Sequence, residues 1–164
     1  MSEEDSPHPL EDLIAEAREG RLTLDMGNGS PDTMRVNAEE FVYIERDCEG
    51  FKLLIQELQT LAEDISNRKK WDLGEAAGGL VSAETLVSRF RAKGKGAEDA
   101  NSVYEILEQH YQIVEDIQEV HRIMAQRYME SDETFAARYN ELMASAPPPG
   151  ALALPPAFPI PPSV

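Results

Sequence analysis

Between Phe41 and Ile65 the apolar side chains recur in alternating steps of three and four: Phe41, Ile44, Cys48, Phe51, Ile55, Leu58, Ala62 and Ile65. That spacing keeps every one of them on a single face of an α-helix, where a strand would need a period of two. A stripe so regular calls for a second helix to cover it. Asn37 with Glu40 forms a candidate capping box at its start. The run to Ile65 is then roughly 40 Å long at ~1.5 Å per residue. A matching stripe follows later in the chain: Val103, Leu107, His110, Val114, Ile117, His121, Met124, Tyr128, Phe135, Tyr139 and Leu142. Ser102 with Glu105 is its candidate cap. Unbroken, this second helix is about 60 Å long, and Pro147 to Pro149 stop it.

Between the two stripes lie Trp71-Asp72-Leu73-Gly74 and Gly78-Gly79, a density of glycine that breaks a helix. Ala83, Leu86, Val87 and Phe90 then mark one face of a short third helix near 82–93, ended by Gly94 and Gly96. Before the first stripe, Pro9, Leu10, Leu13, Ile14 and Ala17 fit a short helix over 9–19, stopped at Gly20. The expected fold is therefore all-α. An antiparallel hairpin of two long helices over 37–144 is joined by the short helix as a three-helix bundle. An acidic segment, 1–36, precedes it with a disordered start and a loop at 25–33. A proline-rich segment, 145–164, follows. The expected seam is Phe41, Ile44, Cys48, Phe51, Ile55, Leu58 and Ile65 facing Val103, Leu107, Val114, Ile117, Met124 and Phe135.

The last segment carries eight prolines and no charged side chain from Ser145 to Val164. Polyproline conformation at ~3.1 Å per residue suits it. Leu152, Leu154, Phe158 and Ile160 are scattered among the prolines, so the segment reads as a spacer first and a peptide ligand second.

The net charge of −16 argues against a nucleic-acid partner, because such proteins concentrate Lys and Arg to displace counterions. The charge is uneven. Arg68 to Lys95 holds seven basic and three acidic residues, while Ala97 to Met143 holds eleven acidic residues and three arginines. One end of the hairpin is expected to be basic and the long final helix acidic. The single cysteine, Cys48, allows no internal disulfide and sits on the apolar stripe as a buried thiol. No stretch approaches the ~20 apolar residues of a membrane span. Met1-Ser2-Glu3-Glu4-Asp5 is the reverse of a leader's basic start, so any export is expected to proceed without a cleaved signal peptide.

Nothing in the chain composes a catalytic centre. His110 and His121 are three turns apart, about 16 Å, too far for one metal ion. Gly94-Lys95-Gly96 lacks the rest of a phosphate-binding loop. No nucleophile elbow occurs. The pairs Glu115-Asp116 and Asp132-Glu133 are expected on an exposed face, ionised and idle. Neither enzymatic activity nor a cofactor or metal is expected.

The order helix, Trp-centred turn, helix, then Tyr-x-x-x-Asp late in the second helix resembles the WXG-type substrates of type VII secretion systems. Trp71 and Gly74 carry the turn. Tyr128 and Asp132 carry the motif, within Arg127-Tyr-Met-Glu-Ser-Asp-Glu-Thr-Phe135. The family's turn is Trp-x-Gly and this chain has Trp-x-x-Gly, with the short helix added. The resemblance spans roughly 34–143. It implies a non-enzymatic helical protein, secreted or displayed at the cell surface, that acts by helix–helix binding. It also implies that Trp71, Gly74, Tyr128 and Asp132 form a composite export signal. Its partner would then be a WXG-like protein, a chaperone or the secretion ATPase. From the residues alone, Tyr128 could equally pack on the first helix with Asp132 solvated. A homodimer, or a cytoplasmic adaptor whose hairpin binds a partner, also fits the pattern.

Overall fold

The computed structural model describes residues 8–22, 37–78, 80–147 and 149, and among these the only regular structure is helical, as expected. The expected disorder at the start, the loop at 25–33 and most of the proline-rich segment lie outside the described residues. Five α-helices follow in order: α1 (Glu11–Glu19), α2 (Ala38–Asn67), α3 (Val81–Gly94), α4 (Val103–Ser131) and α5 (Glu133–Ser145).

Asn37 and Ser102 cap α2 and α4, but neither closes a full capping box. Asn37 Oδ1 accepts from the Glu39 N–H at 3.0 Å, and Ser102 Oγ from the Glu105 N–H at 3.5 Å. Instead of reaching back to Ser102, the Glu105 carboxylate accepts from the Gly96 N–H at 3.1 Å, which ties the preceding loop to α4.

Contacts between α2 and α4 run in opposite order along the two helices. Phe41 lies edge-on to His121 and Tyr128, the Lys52 ammonium is 6.0 Å from the Tyr111 ring centroid, and Gln59 Nε2 donates to Glu108 at 2.8 Å. Cys48, Ile55 and Ala62 are buried. Between the apolar layers sits a polar one. Gln118, 1% exposed, donates from Nε2 to the carboxylates of Glu45 (2.8 Å) and Glu49 (2.7 Å), and Arg122 closes on Glu45. A shifted register would leave the buried Gln118 amide without its carboxylate acceptors, at about 1–3 kcal/mol for a buried donor. The layer therefore fixes how the two helices align.

Three expectations need correction here. The second stripe is not one ~60 Å helix. At Asp132 the backbone leaves helical angles (φ −135°, ψ 105°), and its carboxylate accepts from the N–H groups of Thr134 and Phe135 to start a new helix. The turn folds α5 back, so that Phe135 packs on Phe41 and Tyr128 while Arg138 pairs with Glu39. Asp132 thus has a structural task rather than an idle one. Asp116 is not exposed either. It is 1% exposed and takes hydrogen bonds from His8 Nδ1 (2.6 Å) and the Leu10 N–H (2.9 Å), latching the start of α1 to α4. Ile14 and Ala17 then bury against Val120, flanked by Ile123 and Met124.

Helix α3 docks on the last turns of α2 at Gly94, where a Cβ would lie 2.8 Å from the Ala62 carbonyl oxygen. The Arg91 guanidinium donates to the carbonyls of Arg68 (2.8 Å) and Lys69 (3.2 Å). The cation at the carbonyl end of α2 thus comes across from α3 as well as from the local basic run.

Candidate docking groove at Trp71

The chain leaving α2 is gathered by one carboxylate. Glu75 accepts from the N–H groups of Trp71 (2.6 Å), Asp72 (3.1 Å) and Leu73 (2.8 Å). Those donors, Trp71 first, hold its carboxyl at about 2, well below its ordinary 4.5. Gly74 adopts φ +96°, a left-handed conformation that favours glycine, and a Cβ there would meet Leu80 at 3.2 Å. Held in this way, the Trp71 ring stacks on Phe90, with centroids 5.6 Å apart and planes at 15°, and the Arg68 guanidinium lies 5.6 Å from its centroid.

Because Glu75 has a depressed value in the folded loop, its contribution is complete above about 4.5 and is lost as pH falls through about 2. Trp71 is the only tryptophan, so its fluorescence reports the loop. Acid titration is expected to leave Trp71 unchanged down to about 4.5 and to expose it to quencher below that. Glu75→Gln should show the exposed signal already at neutral pH. A Trp71 signal that is the same in Glu75→Gln and the unaltered chain at every pH would show that the carboxylate does not order the loop.

Trp71 and Phe90 form one wall of an open groove of about 520 Å³. Leu58, Leu61 and Ile65 of α2 and Val103 and Leu107 of α4 also line it, with Lys93 the only charged lining residue. Leu61, Ile65, Phe90 and Val103 are all more than two-fifths exposed. The indole Nε1 of Trp71 is buried and has no hydrogen-bond partner among the described residues.

The expected seam divides accordingly. Cys48, Ile55 and Phe135 are buried. Phe41, Ile44, Leu58, Leu107, Val114, Ile117 and Met124 are half-buried. Phe51 (50%), Ile65 (46%) and Val103 (50%) are exposed and do not belong to a covered seam. Ile65 and Val103 fail because they flank the groove, over which no described helix lies. Burial, then the Glu45 carboxylate, push the Cys48 thiol up, which keeps it protonated and unreactive.

The four residues of the implied export signal do not share one surface. Tyr128 is half-buried, its ring 5.8 Å from Phe41 and 5.6 Å from Phe135, and Asp132 is exposed. Trp71 and Gly74 lie beyond the opposite end of α2, which from Phe41 to Ile65 is about 36 Å long at ~1.5 Å per residue. Of the seven basic residues of 68–95, Lys93 lines the groove and Arg68 lies against Trp71, while Lys70 pairs with Asp72, Lys95 with Glu63 and Lys93 with Asp99. The basic end is thus partly neutralised.

His110 is exposed, and the His121 ring bonds the Ile117 carbonyl through Nδ1 at 2.8 Å. Among the described residues no three His, Cys, Asp or Glu side chains cluster as a metal site, and no helix is long and apolar enough to cross a membrane. What sequence reading missed is the groove itself and the Glu75 nest that builds it. The signal was there in part, since Leu61 and Phe90 are apolar outside the expected seam. Comparison with family models, with curated proteins and with solved structures gives no match.

Proposed function

We propose that this chain is a non-enzymatic, WXG-like helical protein of the type VII secretion class that binds an apolar segment of a partner protein at the Trp71 groove. In this proposal α2 and α4 form an antiparallel hairpin, and α3 makes it a three-helix bundle with one face left uncovered. One observation carries the binding role: a groove with almost wholly apolar walls is held open by a dedicated carboxylate nest. Exposed apolar surface of that kind marks interaction sites on soluble proteins. The export role is supported by the resemblance carried by Trp71, Gly74, Tyr128 and Asp132. The partner would be a WXG-like protein, a chaperone or the secretion ATPase.

Alanine substitutions cannot test the signal cleanly, because Asp132 caps α5 and Tyr128 packs on Phe41. Asp132→Asn keeps a good cap, and Tyr128→Phe keeps the ring. Both chains are expected to keep the helicity and stability of the unaltered one. Comparison of culture filtrate with lysate in the host should then show the chain exported, and the double variant retained in the cell. Full export of the double variant would remove the signal assignment. Retention of the unaltered chain in the cytoplasm, bound to a larger polypeptide, would favour the adaptor function instead.

A further inference from the structure

We propose that the Trp71 groove is a polyproline-binding site, and that its resident occupant is this chain's own proline-rich segment beyond residue 149. This rests on the groove being a binding surface, as proposed above, and adds what fills it and how it is regulated.

The groove's lining narrows the possible occupants: it is apolar apart from Lys93, so a fitting segment brings apolar groups and no charge to desolvate. A polyproline strand is preformed and carries apolar pyrrolidine rings along its length. Grooves lined by aromatic rings are the usual receptors for such strands. Here the stacked pair Trp71 and Phe90 supplies the rings.

The chain's own segment fits that chemistry. From Gly150 to Val164 it has five prolines, no charged side chain to desolvate, and Leu152, Leu154, Phe158 and Ile160 to seat between the rings and Leu61. It also reaches. Helix α5 folds back at Asp132 beside the start of α2, with Phe135 on Phe41 and Arg138 on Glu39, and α2 leads from there to the groove. From Glu45 to Ile65 is about 30 Å of helix. The fourteen steps from Ala146 to Ile160 span about 43 Å as polyproline, enough to follow α2 and lie in the groove. Attachment through one chain gives an effective concentration near millimolar, so modest affinity suffices. A second copy is the weaker occupant on charge as well, since each chain carries −16.

Docking of this kind makes the segment a built-in competitor for any partner of the groove. The test uses a synthetic peptide of residues 147–164 as probe and Trp71 fluorescence as readout. Two full-length chains are compared: the unaltered one, and one with Leu152→Ser, Leu154→Ser, Phe158→Ser and Ile160→Ser. Both should have equal helicity. The altered chain is expected to bind the peptide at least about tenfold more tightly, as follows if the groove is occupied nine-tenths of the time in the unaltered chain. Equal affinity for the two chains would overturn the built-in competitor. Leu61→Asp, added to the altered chain, should abolish binding. Peptide binding that survives Leu61→Asp would place the site elsewhere and overturn the groove as the binding surface. Sedimentation showing the unaltered chain as a dimer and the altered one as a monomer would make a second copy the recipient and overturn docking within one chain.

Discussion

Phe135→Ala is expected to cost about 3–5 kcal/mol of stability, the range for removing a buried aromatic side chain and leaving its cavity. Phe135 is 6% exposed and meets three other rings: Phe41 at 5.7 Å, Tyr128 at 5.6 Å and Tyr139 at 5.9 Å. It is the only buried residue of α5. Arg138 also ties α5 to Glu39 of α2, through side chains that are 47% and 40% exposed. A pair that open to water contributes about 0–1 kcal/mol. The ring cluster, not the ion pair, therefore holds α5 against α2. Urea unfolding of Phe135→Ala beside Arg138→Ala measures the difference. A Phe135→Ala loss no greater than that of Arg138→Ala would show that α5 is not anchored by its phenylalanine. Amide exchange adds a local check. Protection over 133–145 should collapse in Phe135→Ala and persist in Arg138→Ala.

The same cluster shows how far sequence goes. Apolar spacing placed Phe41, Tyr128 and Phe135 on facing stripes, and helical character throughout followed from it. The break at Asp132 was hidden, because Tyr128 to Phe135 is a step of seven that a continuous helix also satisfies. The residues inside that step carried the missing signal. Ser131-Asp132-Glu133-Thr134 puts a strong N-cap residue where the stripe skips a turn. Asp116 was illegible for a different reason. Its burial depends on α1 arriving from a hundred residues away, and no local pattern announces a partner at that separation. Phe51, Ile65 and Val103 show the complementary limit. Periodicity marks an apolar face but not whether anything covers it. The groove exists because three helices approach a common region without a fourth to fill it. The geometry around Trp71 comes from the Glu75 carboxylate four residues along, which no apolar periodicity marks.

Gly94→Leu is expected to lower stability by about 3 kcal/mol and to pry α3 from α2, at the upper end of what overpacking a tight contact costs. The helix backbone at Gly94 is ordinary, so the glycine is not there for a left-handed turn. Its absent side chain is what matters. A Cβ would stand 2.8 Å from the Ala62 carbonyl oxygen and 3.1 Å from the Ser66 nitrogen. Both are backbone atoms of α2 and cannot swing aside as a side chain could. Gly94→Ala separates this contact from helix propensity. Alanine gains about 1 kcal/mol over glycine inside a helix and less at Gly94, the last residue of α3. If the contact is as close as described, Gly94→Ala loses about 1–3 kcal/mol of packing and the propensity gain offsets only part of it. The ordering expected from urea midpoints is glycine, then alanine, then leucine. A Gly94→Ala chain more stable than the original would show that α3 stands away from α2. The groove supplies the second readout. Phe90 and Trp71 form its wall, and Phe90 sits one turn before Gly94 on α3. Moving α3 outward separates the stacked rings, so Trp71 in Gly94→Leu should become accessible to quencher while the α2–α4 layer at Gln118 keeps its amide protection. Loss of protection at Gln118 together with Trp71 exposure would mean that the two halves of the helix pair unfold as one, and that α3 is part of the fold's foundation and not only a wall of the groove.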